Sequence, residues 1–209
     1  MTAAPTDMPP SLALNEIHVW QTPWTGGAGE TRFASLLAAY TSTDIPILRG
    51  PHGKPHFADP WDTFGFSWSH SADTALFAIG LGPAGFELGV DVEVRRPRAR
   101  ALELARRFFA PGEAATLERL PPEDHLAAFL ALWTAKEAVL KAHGGGLSYG
   151  LHRAAFGMVN GVAVPEAFEG DLAPAGAWSM CPLDLSADVV ASVAWRGPPR
   201  TVRVFTSAL

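Results

Sequence analysis

Residues 132–147 read LWTAKEAVLKAHGGGL. Trp133, Glu137 and Lys141 recur every fourth residue, which puts them on one helical face, and Lys136 lies about a quarter turn away. Phe129, Leu130, Leu132, Val139 and Leu140 supply an apolar stripe that would hold such a helix against a core. Gly144, Gly145 and Gly146 end it where a left-handed cap is expected. The stretch predicts a core-anchored helix presenting an acid and two lysines. Glu137 and Lys141 stand in the order that favours a surface ion pair, worth about 0.2–0.5 kcal/mol. Lysine usage points beyond that, because among 16 Lys and Arg only Lys54, Lys136 and Lys141 are lysine. A compact ammonium suits point contacts with phosphate oxygens better than a planar guanidinium does.

Upstream, residues 87–94 read ELGVDVEV. Strand alternation sends Val90, Val92 and Val94 to one face and Asp91 and Glu93 to the other, with their Cα atoms about 7 Å apart. Two carboxylates side by side suit a hard divalent ion such as Mg2+ with substrate phosphates, and the plainer alternative is a solvated acidic face. Arg95 to Arg100, RRPRAR, follows at once. It is either a solvated run or a contact for phosphate or for the acidic surface of a partner protein.

The remaining pattern is mixed. Residues 1–11, rich in proline and threonine, are expected to be a mobile tail. Strands are expected at 16–21, 64–70 and 74–81, and helical spacing runs from Glu30 to Thr41 after a glycine break at Gly26, Gly27 and Gly29. Pro51 and Pro55 keep Arg49 to Phe57 out of regular helix and leave Arg49 and Lys54 on a loop or irregular edge. His52 and His56 lack a third ligand at metal spacing and are read as solvent-facing. Ser69-His70-Ser71 falls at a strand end. It has no G-x-S-x-G turn and is read as a polar cluster for an anion rather than a hydrolase nucleophile. Two helices are expected through Leu102 to Phe109 and Pro111 to Leu120, the long helix from Glu123, and strands at 154–158, 161–164, 188–195 and 201–206. Strands and helices mixed in each half give an α+β class.

At 209 residues and 48% apolar, the chain can bury a core. Its net charge of -5 argues against a protein that coats nucleic acid. The lone Cys181 excludes an internal disulfide framework and fits a reducing compartment. No secretory leader and no apolar run of about 18 residues is seen, so a cytoplasmic protein without membrane association is expected. Asp91, Glu93 and Glu137 together suit a metal, and Arg49, Lys54, His70, Lys136 and Lys141 suit phosphates. Phosphoryl transfer calls for that combination. No P-loop or G-x-G-x-x-G accompanies it, which counts against ordinary nucleotide-binding schemes.

Five motifs in order resemble a known family. Gly89 to Glu93, Arg107-Phe108-Phe109 with Glu113, and Trp133 to Ala138 with Lys141 and Gly144 to Leu147 look like the signature of 4′-phosphopantetheinyl transferases. Gly53-Lys54-Pro55 and Phe66 to Ser71 look like further motifs of the longer, surfactin-synthetase-activating type, which often has asparagine where Ser67 stands. The resemblance implies transfer of the 4′-phosphopantetheine arm of coenzyme A to a serine hydroxyl of an apo carrier protein of fatty acid, polyketide or non-ribosomal peptide synthesis. Adenosine 3′,5′-bisphosphate would be released. By that likeness Asp91, Glu93 and Glu137 hold Mg2+, with Mn2+ as an alternative, and Lys141 neutralises the pyrophosphate. Arg49, Lys54, Ser69 and His70 hold the nucleotide and its phosphates. Glu137 is either a metal ligand or the base for the serine proton. The type implies a monomer of two similar α+β halves related by a pseudo-twofold, with the site between them, at residues 12–87 and 88–209, the second carrying the metal site. Two rivals remain, a non-catalytic coenzyme A or carrier-binding module and a Mg2+-dependent nucleotide hydrolase.

Overall fold

A computed structural model of the chain describes residues 9–206 apart from 25, 27, 42 and 44. Most of the expected tail, residues 1–8, and Gly27 of the expected glycine break lie outside the described residues. In chain order the elements are β1 (Glu16–Pro23), α1 (Ala28–Thr41), β2 (Leu48–Arg49), β3 (Pro55–His56), β4 (Phe64–Ser71), β5 (Thr74–Leu81) and β6 (Leu88–Val94). Then come α2 (Ala101–Phe108), α3 (Pro111–Arg119), α4 (His125–His143), the single-turn α5 (Gly146–Tyr149), β7 (Ala154–Val159), β8 (Val162–Phe168), β9 (Trp178–Leu183), β10 (Val189–Arg196) and β11 (Thr201–Thr206). The class is α+β. Helix α1 starts at Ala28, so Gly29, read as part of the break, lies inside it. Strand β9 was not legible, because WSMCPL carries no clear alternation and has a proline, Pro182, next to its end.

Two sheets stack at the centre. One has the order β11-β1-β5-β4 and the other β6-β10-β9. Period-two alternation assigns their facing sides: Ile17, Val19, Leu76 and Ala78 from the first sheet meet Leu88, Val90, Val92 and Val193 from the second. The opposite face of the first sheet carries Phe66, Phe77 and Ile79, which pack on Phe33 and Leu37 of α1. The outer face of the second sheet carries α4. The layers therefore run α1, sheet, sheet, α4. Strand β11 lies parallel to β1 in register Glu16 with Thr201 through Gln21 with Thr206. It thus crosses the expected boundary at residue 87, covering an edge of the first sheet that β1 would otherwise leave open.

Helix α4 is more deeply placed than its sequence pattern predicts. Residues 134–140 are buried without interruption, including Thr134, Lys136 and Glu137. Its apolar side chains Phe129, Leu130, Leu132, Val139 and Leu140 are fully buried, each contributing roughly 1.5–3 kcal/mol on transfer from water. Gly144 ends it in the left-handed conformation at φ 90°, its N–H donating to Leu140 O at 2.8 Å. The helix lies directly against β6, and Gly89 makes that approach feasible. A Cβ there would lie 2.0 Å from Ala138 O and 2.4 Å from Ala142 N. Among the described residues no helix is long and apolar enough to cross a membrane.

Candidate active site

The contact between β6 and α4 brings Asp91 to Glu137 and Lys141. Strand alternation directs Gly89, Asp91 and Glu93 toward α4, and the four-residue spacing of Glu137 and Lys141 directs both toward the strand. Lys141 Nζ donates to Asp91 Oδ1 at 2.6 Å and to Ser69 Oγ at 2.7 Å, and Ser69 Oγ donates to the same Asp91 oxygen at 2.7 Å. Lys141 therefore pairs with Asp91 rather than forming a surface pair within its own helix.

Strand β4 joins the two sheets through its serines. Ser67, Ser69 and Ser71 alternate onto the face that meets β6. Val90 N donates to Ser67 Oγ and Val94 N to Ser71 Oγ, both at 3.2 Å, while Ser71 Oγ donates to Glu93 Oε2 at 3.1 Å. The serine hydroxyls thus stand in for a strand neighbour that β6 lacks on that side, and they fix where its carboxylates sit.

Burial shapes the electrostatics. Asp91 is 5% exposed, and its Oδ2 is buried with no hydrogen-bond partner. Glu137 is buried as well, and its carboxyl is pushed up to about 7, first by burial, then by the charge of Asp91, with Lys141 opposing and Glu93 adding. Such a cluster is short of positive charge. Hard carboxylate oxygens, one of them unpartnered, fit a divalent ion of the Mg2+ class. Among the described residues, however, no three His, Cys, Asp or Glu groups stand close enough to hold an ion unaided. The expected trio is not preformed, because Glu93 is engaged elsewhere: Arg98 Nη2 donates to its Oε2 at 2.5 Å.

The other expected residues divide. Arg49, Lys54, Ser67, Trp68, Lys141 and Gly144 line a cleft of about 200 Å3, and Lys141 links it to Asp91. Lys54 donates to Ala142 O at the C-terminal end of α4, where a cation meets the negative end of the helix dipole. Burial pushes its ammonium down to about 8 against the pull of Glu87. Arg49 is exposed, lies 5.7 Å from the Trp68 ring centroid and donates to Gly53 O at 3.2 Å. His70, one residue beyond Ser69, is exposed and stacks on Trp24 at 4.1 Å with planes 8° apart. His52 and His56 are exposed, as read from their proline-rich turn.

Lys136 is a correction. It was expected to contact phosphate, yet it is 0% exposed and points to the opposite side of α4. Its Nζ lies 2.7 Å from Glu113 Oε1 and donates to Leu151 O at 3.0 Å and Ala154 O at 2.5 Å, over the ring of Phe109. Glu113 also accepts from Ala110 N and Phe156 N. The quarter turn separating Lys136 from Glu137 buries it in a staple joining α3, α4 and β7. Burial pushes its ammonium down to about 8, the Glu113 charge resisting. Trp24 was missed; Ser71 was read only as part of an anion-binding cluster and Arg98 only as part of a basic run. The bond from Ser71 to Glu93 and the partners of Arg98 and Trp24 have no local signature.

A larger hollow, about 900 Å3, lies between the first half of α4, the β7–β8 hairpin and the β9–β10 turn. Its lining includes none of Arg49, Lys54, Asp91, Glu93, Glu137 or Lys141, so the candidate site is the smaller cleft.

Comparison with known proteins places the chain in a family. Residues 87–194, which span β6 through most of β10, match the family model described as the 4′-phosphopantetheinyl transferase superfamily. The 4′-phosphopantetheinyl transferase AcpT of Salmonella typhimurium is 46% identical over 113 residues, covering 53% of this chain and 55% of AcpT. AcpT of Escherichia coli K12 is 41% identical over 110 residues, covering 52% and 54%. The 4′-phosphopantetheinyl transferase HetI of Nostoc is 30% identical over 181 residues, covering 67% of this chain and 74% of HetI. The chain thus spans about half the length of the AcpT proteins and three quarters of HetI. With a family model over half its length and a relative aligned along most of its own, the chain belongs to the 4′-phosphopantetheinyl transferase superfamily.

Proposed function

We propose that this protein moves the 4′-phosphopantetheine group from coenzyme A to a serine hydroxyl of an apo carrier protein. The observation that carries the reading is the meeting of Asp91, Glu137 and Lys141 at the end of a cleft lined by Lys54 and Arg49. A phosphoryl centre needs an anion cradle, a positive charge on the leaving side and a proton acceptor beside the nucleophile. The serine oxygen bonds to the pantetheine-side phosphorus, the bond from that phosphorus to the bridging oxygen breaks, and adenosine 3′,5′-bisphosphate leaves with its electron pair.

Lys141, fixed on Asp91 and Ser69, sits where it would neutralise the pyrophosphate. Lys54, Arg49 and His70 would hold the nucleotide phosphates. Where it does not hold the ion, Glu137 would accept the serine proton, and its carboxyl, raised to about 7 in the ion-free protein, suits that task near neutral pH. Asp91 and Glu137 would hold Mg2+ or Mn2+, with Glu93 available two residues along the same face. Bound there, the ion would supply charge neutralisation at the transferred phosphoryl group. Lys136 has no part in the cleft.

We further read the chain as the longer, surfactin-synthetase-activating type, a cytoplasmic monomer of two α+β halves near 12–87 and 88–209 related by a pseudo-twofold. Its support is that each half pairs a sheet with a packed helix, α1 on one and α4 on the other, and that β4 and β6 meet at the site. The holo-carrier synthase subtype and the service of fatty acid, polyketide or peptide synthesis belong to the same reading. Intact-mass spectrometry of apo carriers incubated with the protein, coenzyme A and Mg2+ tests it. A gain of one phosphopantetheine that EDTA prevents is expected. Bound coenzyme A without transfer to any carrier class would leave a binding module instead.

A further inference from the structure

We propose that Arg98 is a latch that holds Glu93 away from the ion position in the free protein, so that a divalent cation meets Asp91 and Glu137 first and recruits Glu93 only by displacing a guanidinium. The inference rests on the proposed placement of the ion. Its grounds are geometric. Glu93 follows Asp91 by two residues on the same face of β6, opposite Val190 and Ser192 of β10, and would otherwise complete a three-carboxylate set. Instead its Oε2 accepts from Arg98 Nη2 at 2.5 Å and from Ser71 Oγ at 3.1 Å, and Ser71 is in turn held by Val94 N. Both side chains of the pair are mostly shielded, 19% and 17% exposed, so water weakens it less than an open surface pair. The remaining acid oxygen is unsatisfied: Asp91 is 5% exposed and its Oδ2 has no partner.

Arg98 is also placed to move. It lies in the irregular segment between β6 and α2, outside any ladder, and among the described residues its own backbone contributes only the Ala101 N to Arg98 O bond of 3.0 Å. Releasing its side chain breaks no sheet or helix. Glu93 is tethered on its other side by the strand, so an ion and Arg98 compete for one carboxylate. The free protein therefore binds the cation less tightly than three free carboxylates would. Substrate oxygens can then share the ion instead of contending with a saturated cage.

The test is a Mn2+ titration of the whole protein without coenzyme A, read from the paramagnetic resonance signal of free Mn2+. Arg98→Ala is expected to bind Mn2+ about tenfold tighter, the worth of one charge-assisted hydrogen bond. In a Glu93→Gln background the same change is expected to give no gain. Arg96→Ala removes an equal charge from an exposed neighbour and is expected to change little. Arg98→Gln serves if the alanine variant melts early. Unchanged or weaker binding by Arg98→Ala, with wild-type binding intact, overturns the latch and leaves the ion site standing. An equal gain from Arg96→Ala overturns it too, since charge alone would then explain the effect. Absence of Mn2+ binding in every variant removes the ion site and the latch together, whereas binding by Arg98→Ala alone supports both.

Discussion

Replacing Gly89 by alanine is expected to force α4 off β6. The added Cβ would sit 2.0 Å from Ala138 O and 2.4 Å from Ala142 N, and both atoms are backbone, so no side chain can swing aside. Ordinary contact begins at 3.4 Å, so the worse approach is short by about 1.4 Å. Ala138 and Ala142 are 0% exposed, which leaves the helix no free space to yield into. Overpacking a core costs about 1–3 kcal/mol, and a clash between two backbones belongs at the upper end. For a chain of this length that lowers Tm by about 6–12 °C. The same retreat stretches the 2.6 Å contact between Lys141 and Asp91. A misplacement of about 1 Å at a reacting site can cost on the order of 100-fold in rate. The assay is thermal unfolding alongside carrier loading followed by intact mass, on protein that still folds at 20 °C or below its Tm. Wild-type Tm with wild-type loading would refute the claim that glycine at 89 sets the distance between the carboxylate strand and the lysine helix.

Lys136→Met strands Glu113 as a buried carboxylate and is expected to destabilise by about 3–5 kcal/mol in denaturant melts. Adding Glu113→Gln should recover part of that loss, and a phosphate-binding Lys136 would instead show a raised KM with an intact Tm. Glu137 has its folded pKa at about 7, above the ordinary 4.5, so the folded state holds its proton more tightly and stability falls as pH rises across that window. The fall is at most about 3 kcal/mol, and Glu137→Gln is expected to flatten it in melts taken between pH 4.5 and 8; an unchanged slope would point to another group. Ser69→Ala leaves Lys141 and Asp91 without their shared hydroxyl and is expected to lower transfer about 10- to 100-fold through loss of positioning, with KM for coenzyme A rising less than kcat falls. Asp91→Ala should abolish transfer while the near-ultraviolet circular dichroism stays native, and transfer surviving in it would remove Asp91 from the site.

Much of the site was legible in the chain. The alternation of ELGVDVEV put Asp91 and Glu93 on one strand face, and the four-residue spacing put Glu137 and Lys141 on one helix face, because strand and helix periods fix which side chains share a face. The end of α4 was equally local, since only glycine adopts the φ of 90° found at Gly144 at no steric cost. The serine alternation of β4 was visible, although its use as a seam between sheets was not. Strand β9 and the single-turn helix α5 went unread, being short elements whose positions are set by what they pack on.

What the sequence determined by itself is what periodicity and stereochemistry determine: the α+β class, the carboxylate strand, the lysine helix and its cap. Tertiary structure decided partners. Lys136 and Lys141 share one helix, yet about 500° of helical rotation over five residues sends them to opposite sides. One is sealed against Glu113 and the other is delivered to Asp91. Asp91 and Glu93 share one face, yet Arg98 captures only the second. The depth of α4 is likewise a property of the assembled layers, because it depends on Gly89 of a distant strand leaving room for the backbone of Ala138. Charge–charge pairing and backbone approach are set by distances across the fold, and no local pattern encodes them.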